Sequence, residues 1–190
     1  MKSYYIYIVL TRTNTAISKI IHSIKKDQYT HASISLDKEL NHMYSFGRRW
    51  TYNPFVGRFR KENIYGGVYK LCNTLPGAVI ELPVSKQQYE KAQELIEHFN
   101  ANSHLYKYNY RGLVDSLMNR EYYSSDRFLC SEFVYYIIKE CGIAEFNIPR
   151  NLVRPQNLLS IDGNVIYEGD LKVFKQQVDL KFANFHLSSI

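Results

Sequence analysis

Segments with a two-residue apolar period and segments with a helical one follow each other along this chain in no regular alternation. That order constrains the fold more than any single residue does. Residues 3–10 are a run rich in Ile and Tyr, which predicts a buried strand. Ile17, Ile20, Ile21 and Ile24 then share one helix face, with Asn14 or Thr15 as the cap and Lys25 and Lys26 at the end favoured by the dipole. Residues 30–36 alternate: Ala32, Ile34 and Leu36 point one way, His31, Ser33 and Ser35 the other. Residues 37–41 make a turn and residues 43–47 return. The segment 48–67, with Pro54, Gly57, Gly66 and Gly67 among many aromatics, reads as a long functional loop or lid. Strands are expected near 68–72 and 78–82, joined by a turn at Pro76-Gly77.

Ser85 and Gln88 form a capping box for a helix whose Tyr89, Ala92, Leu95, Ile96 and Phe99 share a face. A short helix is expected over 110–118 and a polar loop over 122–127. A helix then runs from Cys130 to Cys141, with Phe133, Val134, Ile137 and Ile138 as its apolar face and Gly142 as its C-cap. Residues 164–167 and 171–174 look like a last hairpin, with an irregular tail after about residue 175. Such a mixture predicts an α+β fold rather than a doubly wound sheet.

With 190 residues, 45% hydrophobic and 22% charged, the chain suits one ordinary domain over 1–190. No stretch is apolar enough to span a bilayer, so no transmembrane segment is expected. The apolar start is followed by Thr11-Arg12-Thr13-Asn14 instead of a cleavage site, which points to the cytoplasm. The 3 cysteines, Cys72, Cys130 and Cys141, are scattered, without zinc or disulfide spacing, and fit reduced thiols. No metal or organic cofactor is expected. The formal charge of +6 and the clusters around Arg48-Arg49-Trp50, Arg58-Phe59-Arg60-Lys61 and Lys107-Tyr108 make a basic aromatic surface. No recognised nucleic-acid motif accompanies it, so nucleic acid is not expected as a partner.

Cys130 and His31 are the residues with chemistry to offer. A thiol where a polar loop turns into a helix meets free backbone N–H groups and the positive end of the dipole; these favour a thiolate and can hold a developing oxyanion. A histidine on a strand is a firmly held general base. A lone Cys and a lone His so placed are the minimal parts of a thiol nucleophile and its base. The residue orienting the base should lie on the neighbouring strand. A three-residue turn at 38–40 sets Ser33 opposite Ser45 and makes Ser45 the candidate; a two-residue turn puts His42 and Tyr44 on that face instead. Glu132, just inside the Cys130 helix, reads as helix stabilisation.

Thr30-His31-Ala32-Ser33-Ile34, Met43-Tyr44-Ser45-Phe46 and Cys130-Ser131-Glu132-Phe133-Val134, in that order, resemble the circularly permuted papain-like (NlpC-related) cysteine hydrolases, the YiiX-like branch in particular. The resemblance spans roughly residues 4–174. It implies a small antiparallel sheet or open barrel packed against the nucleophile helix, with Cys130 as nucleophile and His31 as its base. That group commonly carries a polar residue, often Glu, on the strand after the histidine. Ser45 stands at what looks like that position, and a serine there is a departure. The implied activity is cleavage of a small amide or peptide substrate through an acyl-enzyme. Thiol acyl transfer is an alternative, as is a catalytically weak module binding a peptide, lipid or polyanion through the basic aromatic loop. Tyr44, Trp50, Tyr122 and Tyr123 are candidate substrate contacts. The sequence leaves the substrate and the oligomeric state open.

Overall fold

The structure is a computed structural model and describes residues 3–13, 16–48 and 57–187. Asn14, Thr15 and residues 49–56 of the expected loop, Arg49 and Trp50 among them, lie outside these. The apolar run at the start becomes β1 (Tyr4–Thr11), and α1 (Ala16–Lys25) follows. The alternating pair becomes a hairpin of β2 (His31–Ser35) and β3 (Met43–Arg48). Next come β4 (Gly57–Glu62), β5 (Pro76–Val84), α2 (Lys86–Ala101), β6 (Lys107–Tyr108), α3 (Tyr110–Leu117), β7 (Arg127–Phe128), α4 (Cys130–Glu140), β8 (Asn164–Asp170) and α5 (Leu171–Leu187). The main sheet runs β4-β3-β2-β1-β5-β8, with every neighbour antiparallel, and β6 and β7 form a small parallel pair. The fold is α+β.

Period-two patterning gives each face of the sheet its own core. Ile6, Ile8 and Leu10 of β1, Ala32 and Ile34 of β2, and Phe46 and Phe59 pack with Phe133, Val134 and Ile137 of α4 and Phe99 of α2. The opposite face carries Tyr7, Val9, Met43 and Val79 beneath Leu171 and Phe174 of α5. Burying α4 on β2 and β3 carries the start of that helix to the His31 end of the sheet. No helix among the described residues is long and apolar enough to cross a membrane.

Three segments differ from the sequence expectation. Within the expected loop, residues 57–62 form β4, an edge strand whose single buried aromatic, Phe59, faces Phe46. Residues 68–72 are not a strand: Tyr69–Leu71 is one 3₁₀ turn, which buries Tyr69 and exposes Leu71, and Pro76-Gly77 opens β5 rather than a turn. The expected last hairpin is one strand followed by a helix, and the tail expected to be irregular is helical to Leu187. Leu171, Phe174 and Val178 recur at helical spacing against the α5-side core. The Asp170 carboxylate accepts from the Lys172 N–H at 3.1 Å and ends the strand.

Candidate functional site

His31 opens β2 and Cys130 opens α4, and the two line one cleft. The imidazole, 18% exposed, stands between two partners. Its Nε2 lies 3.2 Å from both carboxylate oxygens of Glu62. Cys130, in the same cleft, also acts on the ring and raises its pKa, and because Nε2 is taken by Glu62, Nδ1 is the nitrogen left for the thiol. Glu62 is held in turn: its Oε2 accepts from Ser33 Oγ at 2.5 Å and from Tyr69 Oη at 3.0 Å.

Strand register explains why Glu62 can reach. Met43 pairs with Ser35 on one side and with Glu62 on the other, so Glu62 projects on the face that carries Ser33 and His31. Gly47 clears the same ground. A Cβ there would lie 3.2 Å from Glu62 Oε1, 3.7 Å from His31 Cε1 and 3.8 Å from Arg60 Cδ.

Electrostatics in the pair follow from burial and neighbours. Burial lowers the imidazole pKa, but the Glu62 charge and the contact with Cys130 outweigh it and raise the value to about 10. Burial pushes the Glu62 carboxyl up; His31, then the Ser33 hydroxyl and Arg60, bring it below the ordinary value. The Tyr69 hydroxyl, buried beside that carboxylate, is pushed well above its ordinary value and stays a donor.

The nucleophile helix has its own anchorage. Glu132 Oε2 reaches back to accept the Leu129 N–H at 2.7 Å, and it also accepts Asn109 Nδ2 at 3.0 Å. The guanidinium of Arg150 stands 3.6 Å from Glu132 Oε1, a Coulombic contact longer than a hydrogen bond. Arg150 is held over the Phe128 ring and by the Ser124 carbonyl. Ser131 Oγ donates to the Val153 carbonyl at 2.6 Å. Glu132 thus stabilises the helix start, as expected.

Ser45 is not the orienting residue. The expected three-residue-turn register is present, with Ile34 opposite Tyr44 and Ser35 opposite Met43. The fully buried Ser45 hydroxyl instead donates to the Ala32 carbonyl at 2.6 Å, a backbone repair within the sheet. The group behind the imidazole comes from one strand further on. Alternation of Arg58, Arg60 and Glu62 with Phe59 and Lys61 is the sequence signal that marks residues 57–62 as a strand and Glu62 as a residue facing the site.

Of the candidate substrate contacts, Tyr44 lies on the opposite sheet face, stacked on Phe59 at 5.9 Å. Tyr122 lies beneath Arg111 and Tyr123 beneath Arg150, and neither lines the cleft. Trp50 is outside the described residues. The aromatics that do line the cleft are Phe46, Tyr69 and Tyr108. A second cleft meets Cys130 from the α3 side, with Leu113, Leu117, Leu129 and Val153 in its wall. Cys72 and Cys141 are buried elsewhere, and burial raises the Cys141 thiol to about 11.

No family model matches this chain, and no curated protein matches it.

Proposed function

We propose that the chain is a cysteine hydrolase of the circularly permuted papain-like kind, cleaving an amide or peptide bond. Cys130 serves as nucleophile, His31 as general base and acid, and Glu62 as the residue that orients and charges the imidazole. One observation carries this reading: the Glu62 carboxylate lies 3.2 Å from His31 Nε2, and the same imidazole lines one open cleft with the Cys130 thiol, which raises its pKa. The order of histidine strand before cysteine helix supports the permuted arrangement.

In this mechanism the Cys130 proton passes to His31 Nδ1 and the sulfur attacks the carbonyl carbon. The C–S bond forms, and the carbonyl oxygen takes the electron pair as an oxyanion facing the N–H groups at the start of α4. Collapse breaks the C–N bond, and the amine leaves with the proton from His31. Water then attacks the thioester with His31 as base, releasing the acid and restoring the thiol. Acyl transfer shares the first half and differs only in the acceptor.

An electrophilic thiol reagent followed by peptide mapping tests the pair. Cys130 is expected to react at least tenfold faster than Cys72 and Cys141, and His31→Ala is expected to slow it by on the order of 10²-fold at neutral pH. An acetyl adduct on Cys130 after exposure to p-nitrophenyl acetate adds the acyl-enzyme. Equal, slow labelling of all three thiols defeats the reading.

A further inference from the structure

Cys130 belongs to two clefts at once. Ile21, Thr30, Tyr108 and Cys130 line both, so the thiol stands where the two meet. Beyond that shared ground the walls differ. His31 and Glu62 belong only to the cleft on the β4 side. The α3 side instead adds Leu113, Leu117, Leu129, Val153 and Pro155. Leu113 and Leu117 lie four residues apart on α3 and are half-buried, so each leaves apolar surface to the cleft. Polar groups in this wall already bond to the protein. Lys25 Nζ donates to Asn119 Oδ1 at 2.7 Å, Arg154 pairs with Asp27 at 2.7 Å, and Ser131 Oγ donates to the Val153 carbonyl at 2.6 Å. The Thr30 hydroxyl is paired with Ser18 Oγ at 2.5 Å.

Acyl-enzyme chemistry sorts a substrate between these two spaces. Once bonded to sulfur, the carbonyl carbon carries three other substituents. The oxyanion turns to the N–H groups at the start of α4, and the leaving amine must come within reach of His31 to take its proton. The acyl portion is left to point away from the imidazole, toward the cleft that His31 does not line. We propose that the α3-side cleft holds the acyl portion of the substrate and that this portion is aliphatic, with the leaving group lying toward β4. This rests on the thiol–imidazole reading above and adds the substrate class to it: an amide of an aliphatic acid. An aliphatic chain there covers the open flanks of Leu113 and Leu117, for a gain of roughly threefold to fourfold in rate per methylene buried. A polar acyl portion would lose its water against the same wall with little to replace it.

Matched esters test this on the full chain. p-Nitrophenyl hexanoate and p-nitrophenyl acetate react alike: the Cys130 sulfur bonds to the carbonyl carbon, the C–O bond breaks, p-nitrophenolate leaves and the thiol proton passes by way of His31 to solvent. The leaving group is the same, so the ratio of the two rates reads the acyl portion alone and cancels any change in thiolate content. The hexanoate-to-acetate ratio for adducts mapped to Cys130 is expected to exceed that of free N-acetylcysteine by at least about tenfold. It is expected to fall about fivefold in Leu117→Asn and to stay within about twofold of the parent in Leu117→Met. Val68→Asn, which alters the wall of the β4-side cleft only, is expected to act on both esters alike. Without any substitution, hexanamide is expected to protect Cys130 from iodoacetamide at a concentration about tenfold lower than acetamide does. A ratio no greater than that of the free thiol, or equal protection by the two amides, overturns the aliphatic assignment while leaving the thiol site intact. An excess that survives Leu117→Asn, or that collapses in Val68→Asn instead, overturns the placement on the α3 side. Equal acylation of Cys130, Cys72 and Cys141 overturns the hydrolase reading itself, and this one with it.

Discussion

Two buried carboxylates flank the proposed pair, and they are put to opposite uses. Glu62, on a strand, stands behind the histidine; Glu132, on the nucleophile's own helix, stands beneath the cysteine. Both are desolvated, which disfavours the charge. Glu62 recovers it because His31 offers a compensating cation at 3.2 Å and Ser33 a short hydrogen bond, so its pKa falls. Glu132 has two neutral donors, Leu129 N–H and Asn109 Nδ2, and its one cation is held at 3.6 Å, so burial prevails and its pKa rises. A buried carboxylate thus becomes electrostatic equipment for a base or a simple helix cap according to whether a titratable cation touches it.

Glu62→Gln breaks the contrast most severely. Gln keeps the shape but removes the charge that holds His31 protonated. Cys130 alkylation at neutral pH is expected to drop by on the order of 10²-fold, and stability by about 3 kcal/mol, since one member of a buried pair is left alone. The loss also has a pH signature. His31 is raised from 6.5 to about 10, so its contribution is complete below about pH 6.5 and disappears as the pH climbs through 10. Glu62 is lowered from 4.5, so its contribution is complete above that value and disappears as the pH falls through the lowered one. Denaturant titrations should therefore find the deficit of Glu62→Gln widest between about pH 4.5 and 6.5 and narrowing toward pH 10. A deficit independent of pH would mean that the pair is not coupled.

Glu132 sharpens the same comparison from the other side. Glu132→Ala strands the Leu129 N–H and the Asn109 amide and is expected to cost about 2 kcal/mol. Glu132→Gln keeps an acceptor for Leu129 and is expected to cost less than half of that. Because the Glu132 pKa is raised, its ionisation opposes folding as the pH rises above 4.5 through its folded value. Glu132→Gln should remove that downward slope. In both variants Cys130 is expected to react within about threefold of the parent rate, as helix caps affect the helix more than the thiol. A loss as large as that of Glu62→Gln would place Glu132 in the chemistry.

How far the sequence discloses this arrangement depends on local pattern. Cys130 and His31 each open a strongly periodic segment, and the β2–β3 register follows from a turn set by Asp37, whose carboxylate accepts the Asn41 and His42 N–H groups at 2.8 Å. The capping box at Ser85 is equally local. Glu62 is hidden because β4 is a short, highly charged edge strand whose only buried aromatic is Phe59, beside residues with loop chemistry. Tyr69 is hidden because a short, mostly apolar segment serves a 3₁₀ turn as readily as a strand. The final helix escapes notice because Leu171 to Phe174, taken alone, fits either period; only Val178 decides it. What cannot be read locally is which strand supplies a partner across the sheet, since that requires the order β4-β3-β2.

Ser45 makes the finest test of that last point. It has the register expected of an orienting residue and sits one strand nearer to His31 than Glu62 does, yet its hydroxyl is given to the Ala32 carbonyl at 2.6 Å. Ser45→Ala removes one buried hydrogen bond and leaves a carbonyl less satisfied, for an expected cost of about 1 kcal/mol. Because the bond ties β3 to β2 and does not touch the imidazole, the pH profile of Cys130 alkylation should superimpose on that of the parent. A profile displaced by half a pH unit or more would show the serine acting through His31 and would return to β3 the role that the geometry gives to β4.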